Sequence, residues 1–352
     1  MVKQQLFFMR KQIHILLLAL SVLSSVNSLA QKTDSVFHKA PAPLFRDPIY
    51  DGAADPVLVW NKIEKNWWMF YSARRANMPT QDVAAYYGTR IGVASSSNHG
   101  QTWLFRGYLD LEFEKGMNTF WAPDIIYHNN EYHMFVVYIK GVRNHWGGPS
   151  QIVHFTSKDL WDWKYDQPLK LSSDKVIDAT IYKKPDGRFR IWYKDETRGS
   201  VTMMSESSDL KNWETAREPA IGGKAHEGPK VFRYKDYYWM LTDEWQGMRL
   251  YRSTDLEHWD KQGLLLDKPS KREDDTPSGA HGDVVVVGDK AYIFYFTHPG
   301  RKIHGETKPD PDGQWFHTNH RTSIQVAPLK FVNGTLEATR DEPFDFHLPD
   351  MD

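Results

Sequence analysis

Short apolar runs separated by polar turns dominate the chain beyond residue 45. Aromatic-rich runs such as Trp67–Tyr71, Phe189–Tyr193 and Tyr237–Leu241 each follow an earlier apolar run and a turn. Runs of about four to eight residues that are rich in aromatic and β-branched residues and bounded by turn residues are typical of β-strands. Because almost no segment has the periodicity of a long helix, the pattern predicts an all-β fold.

A turn motif recurs through these runs. Ser-x-Asp-Leu-x-x-Trp occurs at Ser157–Trp163, Ser207–Trp213 and Ser253–Trp259, and Ser97–Trp103 is a degenerate copy. The Asp side chain of such a turn can accept hydrogen bonds from nearby backbone N–H groups, so we interpret the motif as structural. The copies are roughly 45 to 60 residues apart, which is close to the length of a four-stranded propeller blade.

Five polar residues head successive pairs of apolar runs: Asp55, Asp124, Asp178, Glu227 and His281. The sequence therefore predicts a five-bladed β-propeller, with these residues at the start of the strands that line its central channel. A propeller must cover its seam, because unpaired strand edges aggregate. We expect residues 31–50 to close the ring beside the last strand, Ser323–Phe331, and residues 298–320 to form a long polar loop.

The first thirty residues resemble an export signal. Lys3, Arg10 and Lys11 precede an apolar stretch at residues 13–26, and residues 28–30 fit a small-residue cleavage site. The apolar stretch is short and contains serines, which favours a cleaved signal over a membrane anchor. We predict a signal peptide at residues 1–30, a single propeller domain at residues 31–352, and export to the periplasm or the extracellular space without a membrane anchor.

Composition narrows the function. The formal net charge of −1 gives no reason to expect a nucleic-acid partner, and the absence of cysteine excludes disulfides, thiolate metal sites and a cysteine nucleophile. The chain has 14 Trp and 17 Tyr. Their flat apolar faces and polar edges suit carbohydrate rings, although they also fill β-rich cores.

Three of the predicted strand heads are carboxylates in matching local settings: Asp55, Asp178 and Glu227. Equivalent strands of a propeller converge on one axis, so we expect the three carboxylates to meet there and to perform acid–base chemistry. No phosphate-binding glycine loop, Ser/His/Asp arrangement or His-Glu-x-x-His motif competes with this interpretation.

Taken in order, four motifs resemble glycoside hydrolase family 43 over about residues 45 to 335. They are Asp55-Pro56, Trp121-Ala122-Pro123-Asp124, Val176-Ile177-Asp178 with Pro185-Asp186-Gly187, and Glu227-Gly228-Pro229. The resemblance implies a five-bladed propeller and a hydrolase of the β-xylosidase, α-L-arabinofuranosidase or arabinanase type. It also implies an oligosaccharide or polysaccharide substrate of plant or algal origin.

Carried across position by position, the resemblance makes Asp55 the general base, Glu227 the general acid and Asp178 the residue that tunes and orients the acid. Such a pair inverts the anomeric centre, because one carboxylate activates water while the other protonates the leaving oxygen. A nearby negative charge raises a carboxyl pKa, which fits the role given to Asp178.

The resemblance also suggests secondary residues. His281 matches a fifth-blade histidine that in many members helps to hold a central metal ion or water, and a purely structural histidine in the channel is the alternative. No cofactor is required, although a structural calcium ion is left open. Four further residues are expected to bind the sugar, with ordinary structural roles as the alternative: Trp121, Asp124, His226 and Arg321.

The sequence departs from the family at Ala179, which follows Asp178 at a position that is often proline in the family. Two alternatives therefore stay open: a related glycosidase acting on galactose or anhydrogalactose, and a non-catalytic carbohydrate-binding propeller. A sialidase-like propeller is disfavoured, because no arginine triad and tyrosine nucleophile can be assembled from the chain.

Overall fold

A computed structural model describes residues 37–302 and 315–351, and residues from His38 onward form one compact unit. The predicted signal peptide, residues 1–30, lies outside the described residues, as does part of the predicted long loop. None of the described helices is long and apolar enough to cross a membrane.

In the described part of the chain, twenty strands form five four-stranded antiparallel sheets, each built from strands that are consecutive in sequence. The first sheet contains β1 (Ala53–Asn61), β2 (Asn66–Ala73), β3 (Arg90–Ser96) and β4 (Leu104–Tyr108). The second contains β5 (Thr119–His128), β6 (Glu131–Ile139), β7 (Gln151–Ser157) and β8 (Lys164–Pro168). The third contains β9 (Val176–Lys183), β10 (Phe189–Asp195), β11 (Val201–Ser207) and β12 (Glu214–Thr215).

The fourth sheet contains β13 (Glu227–Tyr234), β14 (Tyr237–Asp243), β15 (Met248–Ser253) and β16 (Asp260–Leu265). The fifth contains β17 (Ala280–Val287), β18 (Lys290–Thr297), β19 (Ser323–Val332) and β20 (Thr335–Ala338). A short helix, α1 (Trp315–His320), precedes β19, and two 3-10 turns lie at Val83–Tyr86 and Glu196–Arg198. The first strands of neighbouring sheets contact one another around a closed ring, so the predicted all-β, five-bladed propeller is confirmed.

Each first strand carries a β-bulge near its start. Pairing with the second strand is interrupted after Ala54, Trp121, Ile177, Glu227 and Ala280. Four of the residues that follow these positions have left-handed backbone angles: Asp55, Ala122, Asp178 and Gly228. A bulge re-aims the side chains beside it. The second-blade residue equivalent to Asp55 is therefore Ala122 and not Asp124, which corrects the predicted strand head.

The repeated turn motif connects the third and fourth strands of its blades. Asp159 shows how it works: its Oδ1 accepts hydrogen bonds from the N–H groups of Trp161 and Asp162, at 2.9 and 2.8 Å. Asp209 and Asp255 make the same contacts in the next two blades. The motif is structural, and its residues lie outside the channel.

Hydrophobic clusters fill the space between neighbouring blades. Between the first two blades, for example, Trp68 and Phe70 pack with Phe120 and Phe155. Truncating a buried aromatic residue of this kind to alanine typically costs about 3–5 kcal/mol of stability. The aromatic richness of the chain is therefore used largely between blades, where it fixes their relative positions around the channel.

The seam between the first and fifth blades is closed from both ends of the described chain. Ile324 of β19 donates a hydrogen bond to the carbonyl of Phe45 at 2.9 Å, which confirms the predicted closure by the N-terminal segment. β19 is not the last strand, however, because β20 follows it. Phe346 and Leu348 of the C-terminal segment also join the core at the seam, a contribution that the sequence pattern did not predict.

Candidate active site

A cavity of about 380 Å³ opens at the end of the channel where the bulges lie. Each blade contributes the residue at or just beyond the end of its second strand to the cavity wall: Arg74, Ile139, Glu196, Trp245 and His298. The volume lies in the range of small-molecule binding sites, roughly 300–1,000 Å³. The five-fold repetition of the fold thus builds one site from every blade.

Asp55, Asp178 and Glu227 all line this cavity. As whole residues Asp55 and Asp178 are 7% and 6% exposed, whereas the side chain of Glu227 is 27% exposed. Their convergence follows from the bulges, because Asp55 and Asp178 occupy the same bulged position and Glu227 directly precedes it in the fourth blade. The structure brings the three predicted catalytic residues together.

Asp55 lies between two cations. Nη2 of Arg74 is 3.5 Å from its Oδ2, and Nδ1 of His281 is 3.5 Å from its Oδ1. Burial by itself would raise the pKa of Asp55, but the charges of Arg74 and His281 outweigh that effect and lower the pKa to about 2. Asp55 is therefore ionised at neutral pH and can accept a proton.

Glu227 forms an ion pair with Lys194, whose Nζ lies 3.1 Å from its Oε2. Burial favours a raised pKa at Glu227, yet the ammonium of Lys194 outweighs it and lowers the pKa below the ordinary glutamate value. The sequence predicted the opposite direction for this acid. The prediction is wrong for the free protein because it considered Asp178 and overlooked Lys194.

Asp178 holds the proton instead. Burial raises its pKa to about 7, and the neighbouring carboxylates of Glu227 and Asp55 act in the same direction, although His281 opposes them. Its Oδ2 accepts a hydrogen bond from the N–H of Gly228 at 3.2 Å. Because Gly228 directly follows Glu227 in sequence, this bond ties the Asp178 side chain to the segment that carries Glu227. Near neutral pH the Asp178–Glu227 pair therefore retains one proton.

A fourth buried carboxylate, Asp243, supports the site from the end of β14 and was missed by the sequence analysis. Its side chain accepts hydrogen bonds from the backbone N–H groups of His281, at 2.9 Å, and Trp245, at 2.6 Å. Burial and the charge of Glu227 together raise its pKa to about 7. Asp243 thereby ties two elements of the site to one strand end.

His281, the predicted metal ligand, lies behind Asp55 and is not part of the cavity wall. Burial would lower its pKa, but the hydrogen bond to Asp55 and nearby carboxylates raise the pKa to about 9. The imidazole is therefore protonated at neutral pH, and a protonated ring has no lone pair with which to coordinate a metal. Its ring also packs against Gly228, where an added Cβ would come within 2.6 Å of it.

Deeper in the channel, a lysine takes the place that a bound cation would need. Nζ of Lys230 lies 3.0 Å from Asp124 and 2.8 Å from Asp283. The other oxygen of Asp124 accepts a hydrogen bond from the N–H of Ile181, and that of Asp283 accepts one from the N–H of Leu58, both at 2.8 Å. Among the described residues no cluster of three or more histidine or carboxylate side chains could hold a metal. These residues do not fit a calcium ion.

The predicted sugar-binding residues divide into two groups. Trp121 lines the cavity, whereas Asp124, His226 and Arg321 do not. Asp124 fastens blades together through Lys230, and the buried His226 contacts Thr202 Oγ1 through Nε2 at 2.7 Å. Arg321 forms an ion pair with Asp274. The contacts of these three residues are therefore structural, and none of the three lines the cavity.

The comparison with known families agrees with this site. Residues 81–292, more than half of the chain, match the family 43-related model described as "Probable glycosyl hydrolase domain". The chain belongs to this glycosyl hydrolase family. The resemblance to family 43 that the motifs indicate is thereby confirmed, and the protein is a glycoside hydrolase of the family 43 propeller type.

Solved glycoside hydrolases share its fold. A thermostable family-43 glycoside hydrolase is 20% identical, with a TM-score of 0.59 and coverage of 87% of this chain and 98% of the other. A β-xylosidase/α-arabinofuranosidase from a compost microbial metagenome, in complex with xylotriose, is 15% identical, with a TM-score of 0.62 and coverage of 86% of this chain and 97% of the other. A β-1,3-galactosidase with galactodeoxynojirimycin is 13% identical, with a TM-score of 0.58 and coverage of 83% of this chain and 95% of the other. At these identities the similarity is one of fold.

The aromatic rim of this glycoside hydrolase was missed by the sequence analysis. Tyr86 and Tyr87 come from the end of the first 3-10 turn, and Trp146 comes from the loop between β6 and β7. The rings of Tyr86 and Trp146 stack with centroids 5.3 Å apart, and Trp146 is 61% exposed. Both segments interrupt the repeat, so periodicity gave no signal. Tyr86 and Tyr87 are buried, at 4% and 1%, so the exposed ring of Trp146 is the one whose flat face suits the apolar face of a sugar.

Proposed function

We propose that the protein is an exported, inverting and exo-acting glycoside hydrolase, and that it acts on oligosaccharides derived from plant or algal polysaccharides. One observation carries the mechanism: a single cavity holds a carboxylate that stays ionised, Asp55, and a carboxyl pair that retains a proton, Asp178 and Glu227. Groups whose surroundings drive their pKa values apart are suited to divided acid and base roles.

In the proposed reaction, Asp55 removes a proton from the attacking water while Glu227 donates a proton to the leaving glycosidic oxygen. The water oxygen bonds to the anomeric carbon as the bond to the leaving oxygen breaks. Glu227 is the better donor of its pair because its side chain is the more exposed to the cavity, whereas Asp178 is 6% exposed. Asp178 acts as the proton reservoir.

Substrate binding shifts this shared proton. The two carboxyls are coupled, so their proton moves to whichever site gains the better hydrogen-bond partner. A glycosidic oxygen that accepts a hydrogen bond from Glu227 favours protonation there, and expulsion of water from the cavity strengthens that preference. Lys194 then stabilises the carboxylate of Glu227 that remains after the proton has been donated.

Two features support a short, terminal substrate. The cavity has the volume of a small-ligand site, and its rim carries the stacked rings of Tyr86 and Trp146. Relatives of the same fold include a β-xylosidase/α-arabinofuranosidase and a β-1,3-galactosidase, with similar TM-scores of 0.62 and 0.58. Arabinofuranosides and xylosides are our first candidates, and galactosides or anhydrogalactosides are the second.

The test is a panel of aryl arabinofuranosides, xylosides, galactosides and fucosides, followed by plant and algal oligosaccharides. We expect hydrolysis of at least one class. Glu227→Gln should abolish turnover of natural glycosides and spare substrates with good leaving groups, which need less protonation. Asp55→Asn should disable both. Tight oligosaccharide binding without hydrolysis anywhere in the panel would instead favour a carbohydrate-binding propeller.

Export rests on residues 1–30 and has its own test. When the full chain is produced in a Gram-negative host, we expect the mature protein in the periplasm or medium, with an N-terminus near Gln31. Retention of the uncleaved chain in the cytoplasm would contradict the proposed export and leave the proposed reaction unaffected.

A further inference from the structure

One buried cation in the cavity wall, Arg301, has no carboxylate partner among the described residues. Arg301 follows β18, lines the cavity and is 9% exposed. Its Nε donates a hydrogen bond to the backbone carbonyl of Asn319 at 2.8 Å, and its Nη2 donates to the hydroxyl of Tyr86. Both partners are neutral. Within residues 37–302 and 315–351, no ion pair joins this guanidinium to a carboxylate, and its remaining contact is with the ring of Tyr86, 6.0 Å from the ring centre.

Other buried arginines of the chain are paired. Arg190, which is 3% exposed, binds the carboxylates of Glu206 and Glu257, and Arg340, which is 7% exposed, binds Asp275. A buried guanidinium without an anion carries a desolvation penalty that nothing repays. Burial lowers the pKa of Arg301, and the neighbouring charge of Arg74 acts in the same direction. The second cation worsens the imbalance.

Arg301 is linked to the proposed general base through Tyr86 and Arg74. The guanidinium of Arg74 is 5.3 Å from the centre of the Tyr86 ring, and its Nη2 is 3.5 Å from Asp55. The hydroxyl of that same tyrosine accepts the hydrogen bond from Arg301. Arg301 and Asp55 also line the same cavity of about 380 Å³, so we place a group bound at Arg301 on the terminal sugar, the one released by hydrolysis.

We propose that the terminal sugar of the substrate carries an anionic substituent, a carboxylate or a sulfate ester, that binds Arg301. A planar guanidinium presents donors that match either group, and the charge-assisted hydrogen bonds formed are stronger than those to hydroxyls. The substrate would thus supply the missing anion. This inference rests on the proposed function, of which it specifies the substrate class.

Binding of free sugars tests the inference without requiring hydrolysis. Isothermal titration should compare xylose with glucuronate and galactose with galacturonate, pairs that differ at C5 or C6, and galactose 6-sulfate provides the sulfate arm. We expect at least one anionic sugar to bind about tenfold or more tightly than its neutral counterpart. The arm that wins identifies carboxylate or sulfate as the group recognised.

Variants then locate the preference. Arg301→Gln should remove it, Arg301→Lys should retain part of it, and Arg106→Gln, which deletes the same charge from a surface pair with Glu64, should leave it intact. Equal affinity for neutral and anionic sugars in the wild type would overturn the inference even if Arg301→Gln does not fold. A preference that survives in folded Arg301→Gln would do the same.

The outcome separates this inference from the proposed function. Hydrolysis of neutral glycosides without any preference for anionic sugars would leave the proposed function standing and reject the inference. Tight, Arg301-dependent binding of an anionic sugar without hydrolysis of its aryl glycoside would do the reverse.

Discussion

Nζ of Lys194 lies 3.1 Å from Oε2 of Glu227, and this ion pair sets the protonation of the site. Lys194 is supplied by β10 of the third blade and Glu227 by β13 of the fourth, so the contact joins two blades at the cavity wall. Because the ammonium lowers the pKa of Glu227 while burial raises that of Asp178, the free protein favours the proton on Asp178, and the proposed mechanism moves it to Glu227 when substrate binds.

This relationship predicts the pH dependence of kcat/KM. Activity requires Asp55 to be ionised and the Asp178–Glu227 pair to retain one proton. The pKa of Asp55 is about 2 and that of Asp178 is about 7. We therefore expect activity across mildly acidic pH that falls as the pH rises through about 7, since the pair then loses its proton. A profile that rises through pH 7 would contradict the assignment.

Lys194→Met should move the alkaline limb of that profile. Removal of the ammonium raises the pKa of both Glu227 and Asp178, because Lys194 lowers both. The limb should therefore shift to higher pH by about one unit or more, because a close opposite charge typically changes a carboxyl pKa by that amount. Lys211→Met, which removes a more exposed lysine paired with Asp166, is the matched control. An unmoved limb would reject the coupling.

Asp178→Asn should act in the other direction. The variant removes the group that holds the proton and leaves Glu227, whose pKa is lowered by Lys194. At pH 7 we expect kcat/KM to fall by about a hundredfold or more, with the remaining optimum displaced to acidic pH. Circular dichroism should show an intact fold. Near wild-type activity at pH 7 would remove Asp178 from the mechanism.

Much of this arrangement was predictable because it repeats. The turn motifs and the run lengths predicted five blades, and equivalent strands carried Asp55, Asp178 and Glu227 to one axis. Because of the bulge, the residue of the second blade that corresponds to Asp55 is Ala122. Asp124 lies two residues further along β5, and it pairs with Lys230 deeper in the channel. A pattern of apolar positions does not reveal a bulge, which has no compositional signature of its own here.

Contacts between blades were not predictable. Lys194 stands in an ordinary strand, and nothing in its neighbourhood marks it as the partner of Glu227, a residue that reaches it only through the tertiary fold. The same holds for Arg301, which follows the fifth blade's second strand in a polar insertion. The pKa values of the site depend on these partners, which is why the direction at Glu227 was predicted wrongly.

Lys230 provides a test of the channel interior. Lys230→Met would leave Asp124 and Asp283 buried without their cation, and breaking a buried pair typically costs roughly 3–5 kcal/mol. We expect a lower Tm and weaker resistance to urea than for Lys235→Met, which changes an exposed lysine nearby. Adding Asp124→Asn and Asp283→Asn to Lys230→Met should recover part of the loss. A neutral Lys230→Met would contradict the role of the triad.

The same triad predicts the response to metal removal. Because Lys230 neutralises the channel carboxylates and His281 is protonated, neither can serve calcium at neutral pH. Dialysis against EDTA should leave Tm and kcat/KM unchanged, and added calcium should not raise either. A calcium-dependent increase in Tm of several degrees would reveal a site that these residues do not explain.

His281 should make stability pH-dependent. Its folded-state pKa of about 9 exceeds the ordinary histidine value of 6.5, so its contribution is fully present below pH 6.5 and is lost as the pH rises through 9. The contribution is on the order of 3 kcal/mol. Urea unfolding at several pH values should show this decline in the wild type and a shallower one in His281→Gln. Parallel curves would contradict the ionisation assigned to His281.

The stereochemistry of hydrolysis tests the central claim most directly. If Asp55 activates water on the face of the sugar opposite to the leaving group that Glu227 protonates, the first-formed sugar has the inverted anomeric configuration. Proton NMR of the anomeric signal, recorded before mutarotation, distinguishes the two products for whichever glycoside the panel identifies. Our account predicts inversion. A first-formed sugar with the retained configuration would contradict it.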